Sequence, residues 1–460
     1  GDVYKRQDEV KRMHTKTDLL KGNILKSLIL FAIPLIISNL FQQLYNAADT
    51  MIVGHFLGDE SLAAIGACAA VYELLVGFAL GFGNGLSMVV ARSFGVGDKD
   101  LLKRAVAGSL VIGAAVTVGV MLIAQIGLRP LLVLLHTPSE IIEESYSYIY
   151  IVTICVGVMF AYNLLSGLLR AIGNSFMPLA FLIISSVINI VLDVLFITQF
   201  QMGIRGAAVA TVVAQGISAV LCAIYIMKKC KILIPEREHF KVDGPLYREL
   251  TGQGLSMGFM LAIVSTGTVI LQYAINQLGY LIIAGHTAAR KLNSFCSLPL
   301  MPLAMATATF VSQNRGADQR DRILKVVRYA MILSVGWAVF ITVIVAFAAP
   351  SLIALLSGSS ESVVLENGVR YIRWNTPFYS VLGILLVLRN VLQGLGKKVV
   401  PLVSSMIELV GKIAFVLLFI PILKYFGVII CEPVIWCLMC IQLVIFYYRD
   451  PYIRGEEEKK

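Results

Sequence analysis

Asn189 and Asp193 stand one helical turn apart in INIVLDVLFI (188–197), where every other side chain is apolar. A carboxylate at the centre of a bilayer costs about 2.5–3.5 kcal/mol on insertion scales, so a hydrophobic helix that keeps one has a use for it. Asp49, near the end of an earlier apolar run, and Thr211, within a later one, bring two more oxygen-bearing side chains. Two carboxylates, an amide and a hydroxyl are all hard oxygen donors. They could hold Na⁺, or the two carboxylates could share a proton. Either occupant cancels charge and changes which helix packing is favoured, so an ion gradient could drive a conformational change. The alternative for Asp49 is a hydrated residue at a helix end.

Other polar residues in apolar surroundings invite weaker readings. Gln42, Gln43, Asn46 and Asn163 are candidates to line a substrate cavity, with Gln42 and Asn46 on one helical face. They could equally bond neighbouring helices, and Glu73 is of the same kind. Glu408 and Lys412 form an i,i+4 pair inside an apolar run. That spacing suits a neutralised structural pair, or a second site for substrate or a proton. Pro34 removes a backbone hydrogen bond in the run that carries Asp49, and so offers a bend point or hinge.

These residues must be positioned by membrane-spanning helices. Of 460 residues, 58% are hydrophobic and 14% charged, against about 25% charged in soluble domains. Apolar runs of helical length fall near 27–54, 61–90, 105–127, 143–168, 177–198, 204–227, 253–277, 281–311, 326–350, 368–388, 399–420 and 427–447. The expected fold is an all-α integral membrane protein with twelve transmembrane helices. Most lysines and arginines fall on the N-terminal side of this topology. The opposite loops hold only Arg129, Arg205, Arg370, Arg373 and Lys424. That bias places both termini in the cytoplasm, and it accounts for the net charge of +10 without nucleic-acid binding. The eight cysteines lie mostly inside apolar runs, the five histidines are scattered, and no CxxC or CxxH pair suggests a metal site, so neither a disulfide framework nor a metal centre is expected. GFGNG (81–85) lies in a span with no GK[ST] after it, so it is not a phosphate loop. Residues 1–12 are polar and precede a more natural start at Met13, so they read as a scar outside the fold.

The chain also repeats itself. LLRAIGNSFMPLAFLIISSVINIVLDVLFI (168–197) aligns without gaps with VLQGLGKKVVPLVSSMIELVGKIAFVLLFI (391–420), pairing Gly173 with Gly396 and Pro178 with Pro401. ARSFGVGDKDLLKRAV similarly meets SQNRGADQRDRILKVV. Two six-helix lobes related by an axis along the membrane normal follow, an architecture built for alternating access. The expected divisions are a tail over 1–25, a first lobe over 26–228, a cytoplasmic linker over 229–250, a second lobe over 251–448 and a tail over 449–460. In this repeat Asn189 meets Lys412, Asp193 meets Val416 and Asp49 meets Ile270. The second half therefore makes the same helices without these residues.

FAIPLIISNLFQQLYNAADTMIVGHFLG (31–58), ARSFGVGDKDLLKR (91–104), NIVLDVLFI (189–197), MGIRGAAVAT (202–211) and EPVIW (432–436) together resemble the multidrug and toxic compound extrusion (MATE) transporters over residues 13–450. The resemblance implies a V-shaped, twelve-helix antiporter of the plasma (inner) membrane. It would export cationic lipophilic compounds in exchange for H⁺ or Na⁺, with no other cofactor. Its expected partners are small cationic or amphiphilic substrates and the lipid bilayer; it would act as a monomer and would not be an enzyme. In many bacterial members an Asp on helix one, an Asn and Asp on helix five and a Thr on helix six form the ion site. Those positions match Asp49, Asn189, Asp193 and Thr211. Another branch carries acids on helices seven and ten. Here GLSMGFMLAIVSTGTVI (254–270) has none and span ten offers only Arg389, so the chain is closer to the first-lobe branch. The main alternative is a lipid or lipid-linked oligosaccharide flippase of the same superfamily. The cationic cleft expected of such a flippase finds few counterparts here, namely Arg290, Lys291 and Lys412.

Overall fold

In lipid, each backbone N–H and C=O must be satisfied within the chain, and a run of apolar residues achieves this only as a helix. The computed structural model describes residues 16–134, 139–358 and 360–456, so the reading of residues 1–12 lies outside the described residues. The first seven helices are α1 (Ile24–Leu57), α2 (Asp59–Val96), α3 (Lys99–Leu134), α4 (Ile142–Ile154), α5 (Val156–Ala171), α6 (Phe176–Thr198) and α7 (Ile204–Lys229). They are followed by α8 (Gly244–Asn276), α9 (Tyr280–Cys296), α10 (Leu300–Gly316), α11 (Arg320–Ser357) and α12 (Ser362–Asn375). The last are α13 (Tyr379–Gly394), α14 (Val399–Ala414), α15 (Ile420–Leu423), α16 (Tyr425–Arg449) and the short α17 (Pro451–Arg454). Among the described residues, eleven helical runs are long and apolar enough to cross a membrane. The pair α4–α5, bent by 46°, makes a twelfth. The twelve expected spans are all present.

Breaks within spans have local causes. Thr153 Oγ1 bonds back to the Tyr150 carbonyl at 2.9 Å just before the bend at Cys155, competing with the helical ladder. Pro299, Pro377 and Pro421 sit where α9 gives way to α10, α12 to α13 and α14 to α15, each removing a backbone donor. Pro34 is different. It is buried, and α1 runs unbroken through it, with Ser38 Oγ donating to its carbonyl at 2.8 Å. The repeat is visible in the backbone too: Gly173 and Gly396 both turn with positive φ, +90° and +88°. A Cβ at Gly173 would lie 2.3 Å from the Thr17 carbonyl oxygen, so both strain and space require glycine there.

The chain divides into two compact units, one of residues 1–262 with 316–318, the other of 263–315 with 319–460. This departs from the expected linker over 229–250. Residues 244–250 are the first turns of α8, and the first half of that helix belongs to the first unit. Leu250 is fully buried in the same core as Leu86, Leu102 and Leu168. GFGNG explains the close fit. Cβ atoms at Gly81 and Gly85 would lie 2.3 Å from the Met257 carbonyl oxygen and 2.4 Å from that of Gln253, so these glycines let α2 lie backbone to backbone on α8. The remaining linker is strapped to the start of α3 by Lys103–Glu236 (2.6 Å), His239–Asp100 (3.1 Å) and Arg104–Asp243 (2.9 Å).

In the second unit the expected tail over 449–460 is docked at its start. Asp450 caps α17, Tyr452 and Ile453 are buried, and Arg320 Nε donates to both their carbonyls at 3.0 Å. All eight cysteines are free thiols.

Gly81→Leu is expected to lower the thermal midpoint of the detergent-solubilised protein, by the about 1–3 kcal/mol of an overpacked core or more. Gly119→Ala, where an added Cβ meets nothing within 4 Å, should be neutral or slightly stabilising. Equal midpoints for the two variants would refute the close-packing role.

Candidate functional site

Three packed helices of the first unit, α1 and α6 running one way and α7 the other, bring the expected residues to one end of it. Asp49 lies near the end of α1, Asp193 near the end of α6 and Thr211 near the start of α7. At 1.5 Å per residue each is roughly 8–12 Å from its helix terminus. Because α6 packs against both α1 and α7, the three meet side by side. Asn189, Asp193 and Thr211 are buried and Asp49 is half-buried.

The carboxyls of Asp49 and Asp193 approach within hydrogen-bonding reach of each other. Ionised carboxylates only accept, so such a bond exists only with a proton between them. With the Asn189 amide oriented to satisfy its surroundings, its nitrogen donates to Asp193 Oδ2 at 3.3 Å. Its oxygen then accepts from the Thr211 backbone N–H, also at 3.3 Å. Thr211 thus reaches Asn189 through its main chain. Asp49 Oδ1 and Asp193 Oδ1 are buried without a partner, and so is Gln215 Oε1. Three orphaned acceptors within one polar cluster form a donor set that fits a bare cation or protons, since it offers oxygen and no counter-charge.

Sequence reasoning missed the shell around this core. The Tyr45 hydroxyl stands beside Gln215, and Tyr72 and Tyr148 stand near Asp49. The signal that finds two of them is spacing. Each helix offers an i,i+4 polar pair: Tyr45 with Asp49, Asn189 with Asp193, Thr211 with Gln215.

A cavity of about 130 Å³ opens onto this cluster, lined by Gln42, Asn46, Asn163, Asn189, Thr211 and Gln215 among others. Asp49 and Asp193 are not among its lining residues, although Tyr45 and Asn189, one turn from each, are. Drug-sized pockets run to about 300–1,000 Å³, whereas a water occupies about 30 Å³. The cavity therefore suits a hydrated ion and its access path, not a bulky substrate. Gln42, Asn46 and Asn163 line it as expected, although the space is not a substrate chamber in this conformation. Gln43 is exposed and outside the lining.

Glu408, the remaining cavity candidate, lies in the second unit and is buried against cations. Lys412 Nζ is 2.9 Å from its Oε1 and Arg389 Nη1 is 3.9 Å from its Oε2. Lys412 also reaches Thr268 Oγ1 at 3.4 Å, across Gly267, where a Cβ would crowd its stem at 3.0 Å. This is the geometry of the structural pair.

A membrane protein of two repeated helical lobes, with unpaired carboxylates buried in one of them, has the build of a secondary transporter. The chain belongs to the MatE family, whose model matches residues 34–195 and 257–418, one segment in each half. It is 28% identical over 393 residues to the probable multidrug resistance protein YpnP of Bacillus subtilis, covering 85% of this chain and 87% of that one. It is 22% identical to the multidrug export protein MepA of Staphylococcus saprophyticus, covering 94% of this chain and 95% of that one. A solved structure described as the outward-facing conformation of a multidrug resistance MATE family transporter superposes with a TM-score of 0.87 at 22% identity, covering 96% of this chain and 99% of that one. The two relatives are named for resistance and export, in line with the expectation that this chain is not an enzyme.

Asp193→Asn keeps the shape of the side chain and removes its charge. It is expected to abolish any Na⁺- or pH-dependent shift in the thermal midpoint of the purified protein while leaving it folded. Thr211→Val keeps the backbone N–H that bonds Asn189, and should weaken the ion response by no more than about tenfold, the scale of one hydrogen bond. An undiminished response in Asp193→Asn would show that the ion binds elsewhere.

Proposed function

We propose that the protein is a secondary multidrug antiporter that exports cationic, lipophilic compounds in exchange for H⁺ or Na⁺. The observation that carries this reading is the pair of buried carboxylates, Asp49 and Asp193, each with an oxygen that has no partner. In a low-dielectric site such a pair is held only with protons or a metal cation present. Loading and release change the charge that α1, α6 and α7 must pack around, which gives an ion gradient leverage on the first lobe. Na⁺, if it is the ion, would be held by the carboxylates of Asp49 and Asp193 with oxygens of Asn189 and Thr211. The relatives named for multidrug resistance and export support the substrate class. We place the protein in the plasma (inner) membrane with both termini cytoplasmic and as a monomer, the orientation resting on the loop charge bias.

The flippase alternative needs a cleft of free cations. Arg290 and Lys412 are instead engaged by Glu432 and Glu408, at 3.0 Å and 2.9 Å, which favours the antiporter.

In everted vesicles carrying the protein, addition of a cationic dye should dissipate an imposed pH or Na⁺ gradient, each tested separately. Silence under both gradients across a panel of such dyes would overturn antiport. Movement of a lipid-linked sugar without any ion response would favour the flippase.

A further inference from the structure

The second unit has its own buried carboxylate cluster, and it is built to a different rule. Glu432 on α16 is 7% exposed and both its oxygens are engaged. Arg290 Nη1 on α9 lies 3.0 Å from Oε1 and 3.1 Å from Oε2, and the Tyr371 hydroxyl on α12 donates to Oε2 at 3.0 Å. Arg290 also reaches the Tyr371 oxygen at 3.4 Å. His286 closes the cluster, edge-on to the Tyr371 ring at 4.9 Å, with its Nδ1 3.2 Å from the Tyr425 hydroxyl. The register that pairs Gly173 with Gly396 also pairs Tyr148, which stands near Asp49, with Tyr371, which holds Glu432. Each half thus sets a tyrosine of the same register near an acidic side chain, and in the second half it is hydrogen-bonded to it. In the first unit the carboxylates are left with orphaned oxygens; in the second a guanidinium fills the gap.

We infer that Glu432 and Tyr371 form a latent cation site, occupied by the tethered guanidinium of Arg290 where the first unit takes an exchangeable ion. A buried carboxylate must be matched by a proton, a free cation or a fixed one. A cation fixed to the chain cannot leave, so this cluster contributes no exchanged charge. Glu408 follows the same rule, because Lys412, at the register of Asn189, lies 2.9 Å from it. The comparison with an exchangeable ion rests on the proposed role of Asp49 and Asp193. The ligand chemistry of the second-unit site does not. Its ligand class is a small monovalent cation with N–H donors, guanidinium first among them, because a planar fork matches a carboxylate. The Arg290 side chain is 35% exposed, so the position it vacates when shortened borders the surface of the second unit.

The test is chemical rescue. Purified Arg290→Ala is titrated with low-millimolar guanidinium chloride, with choline chloride as the ionic-strength control, and its thermal midpoint is followed. The expected result is a saturable rise of about 1–2 °C, the scale that roughly 1 kcal/mol of ligand stabilisation gives in a chain of this length. The rise should be absent in wild type and in Arg290→Ala/Glu432→Gln. A folded Arg290→Ala that ignores guanidinium, or a response that survives Glu432→Gln, would overturn the proposal. Asp193→Asn placed in the Arg290→Ala background should keep the guanidinium response. The second-unit site is thereby tested whether or not the first unit proves to be the coupling site. If Arg290→Ala does not accumulate, the charge-free pair Arg290→Met/Glu432→Gln decides. It should retain the wild-type Na⁺ or pH response, and loss of that response in a folded protein would show that Glu432 takes part in exchange.

Discussion

Two carboxylates that share a site beside a small polar cavity, each with an oxygen left unanswered, set the terms for the rest of the molecule. Lone carboxylates in a membrane interior are costly, and Asp49 and Asp193 have no arginine or lysine among their hydrogen-bond partners in the described residues. Asn189 answers one Asp193 oxygen and is itself held by the Thr211 backbone, which leaves the unpaired oxygens free for an occupant. On the proposed function, charge at this point of contact among α1, α6 and α7 varies with loading, and that variation would let a packed lobe prefer one arrangement when loaded and another when empty.

The scaffold makes this site rigid elsewhere. Glycines 81 and 85 bring α2 onto the first half of α8 at backbone distance, and Leu250 seals the core beside them. The linker is strapped to α3 by the ion pairs Lys103–Glu236 and Arg104–Asp243 and by the His239–Asp100 contact. Exposed pairs contribute only about 0.2–1 kcal/mol each, so their effect is on register more than on stability. The second unit keeps its buried carboxylates permanently compensated, Glu432 by Arg290 and Glu408 by Lys412. The repeated fold thus carries two electrostatic characters, carboxylates with orphaned oxygens in one unit and carboxylates paired with fixed cations in the other.

Much of this was legible in the sequence because polar residues stand out against apolar runs. The twelve spans, the repeat, and the grouping of Asp49, Asn189, Asp193 and Thr211 follow from hydropathy, register and helix direction. Other features depend on tertiary contacts. Tyr45, Tyr72 and Tyr148 are common membrane residues until a carboxylate is seen beside them. The Arg290–Glu432 pair spans 142 residues, and nothing local to EPVIW announces its partner. The linker boundary shifted because PLYRE, polar by composition, is a helix end projecting beyond the apolar stretch. α8 is 33 residues long, or about 50 Å, whereas the hydrocarbon core needs only about 20 residues, so hydropathy marks the middle of such a helix and not its ends.

Infrared difference spectroscopy of the purified protein, stepped in pH or in Na⁺, reads the protonation of buried carboxyls directly. A protonated-carboxyl band that responds to the step in wild type and is lost or halved in both Asp49→Asn and Asp193→Asn is the predicted result. A band that persists unchanged in both variants would contradict the assignment of the exchangeable cation to this pair.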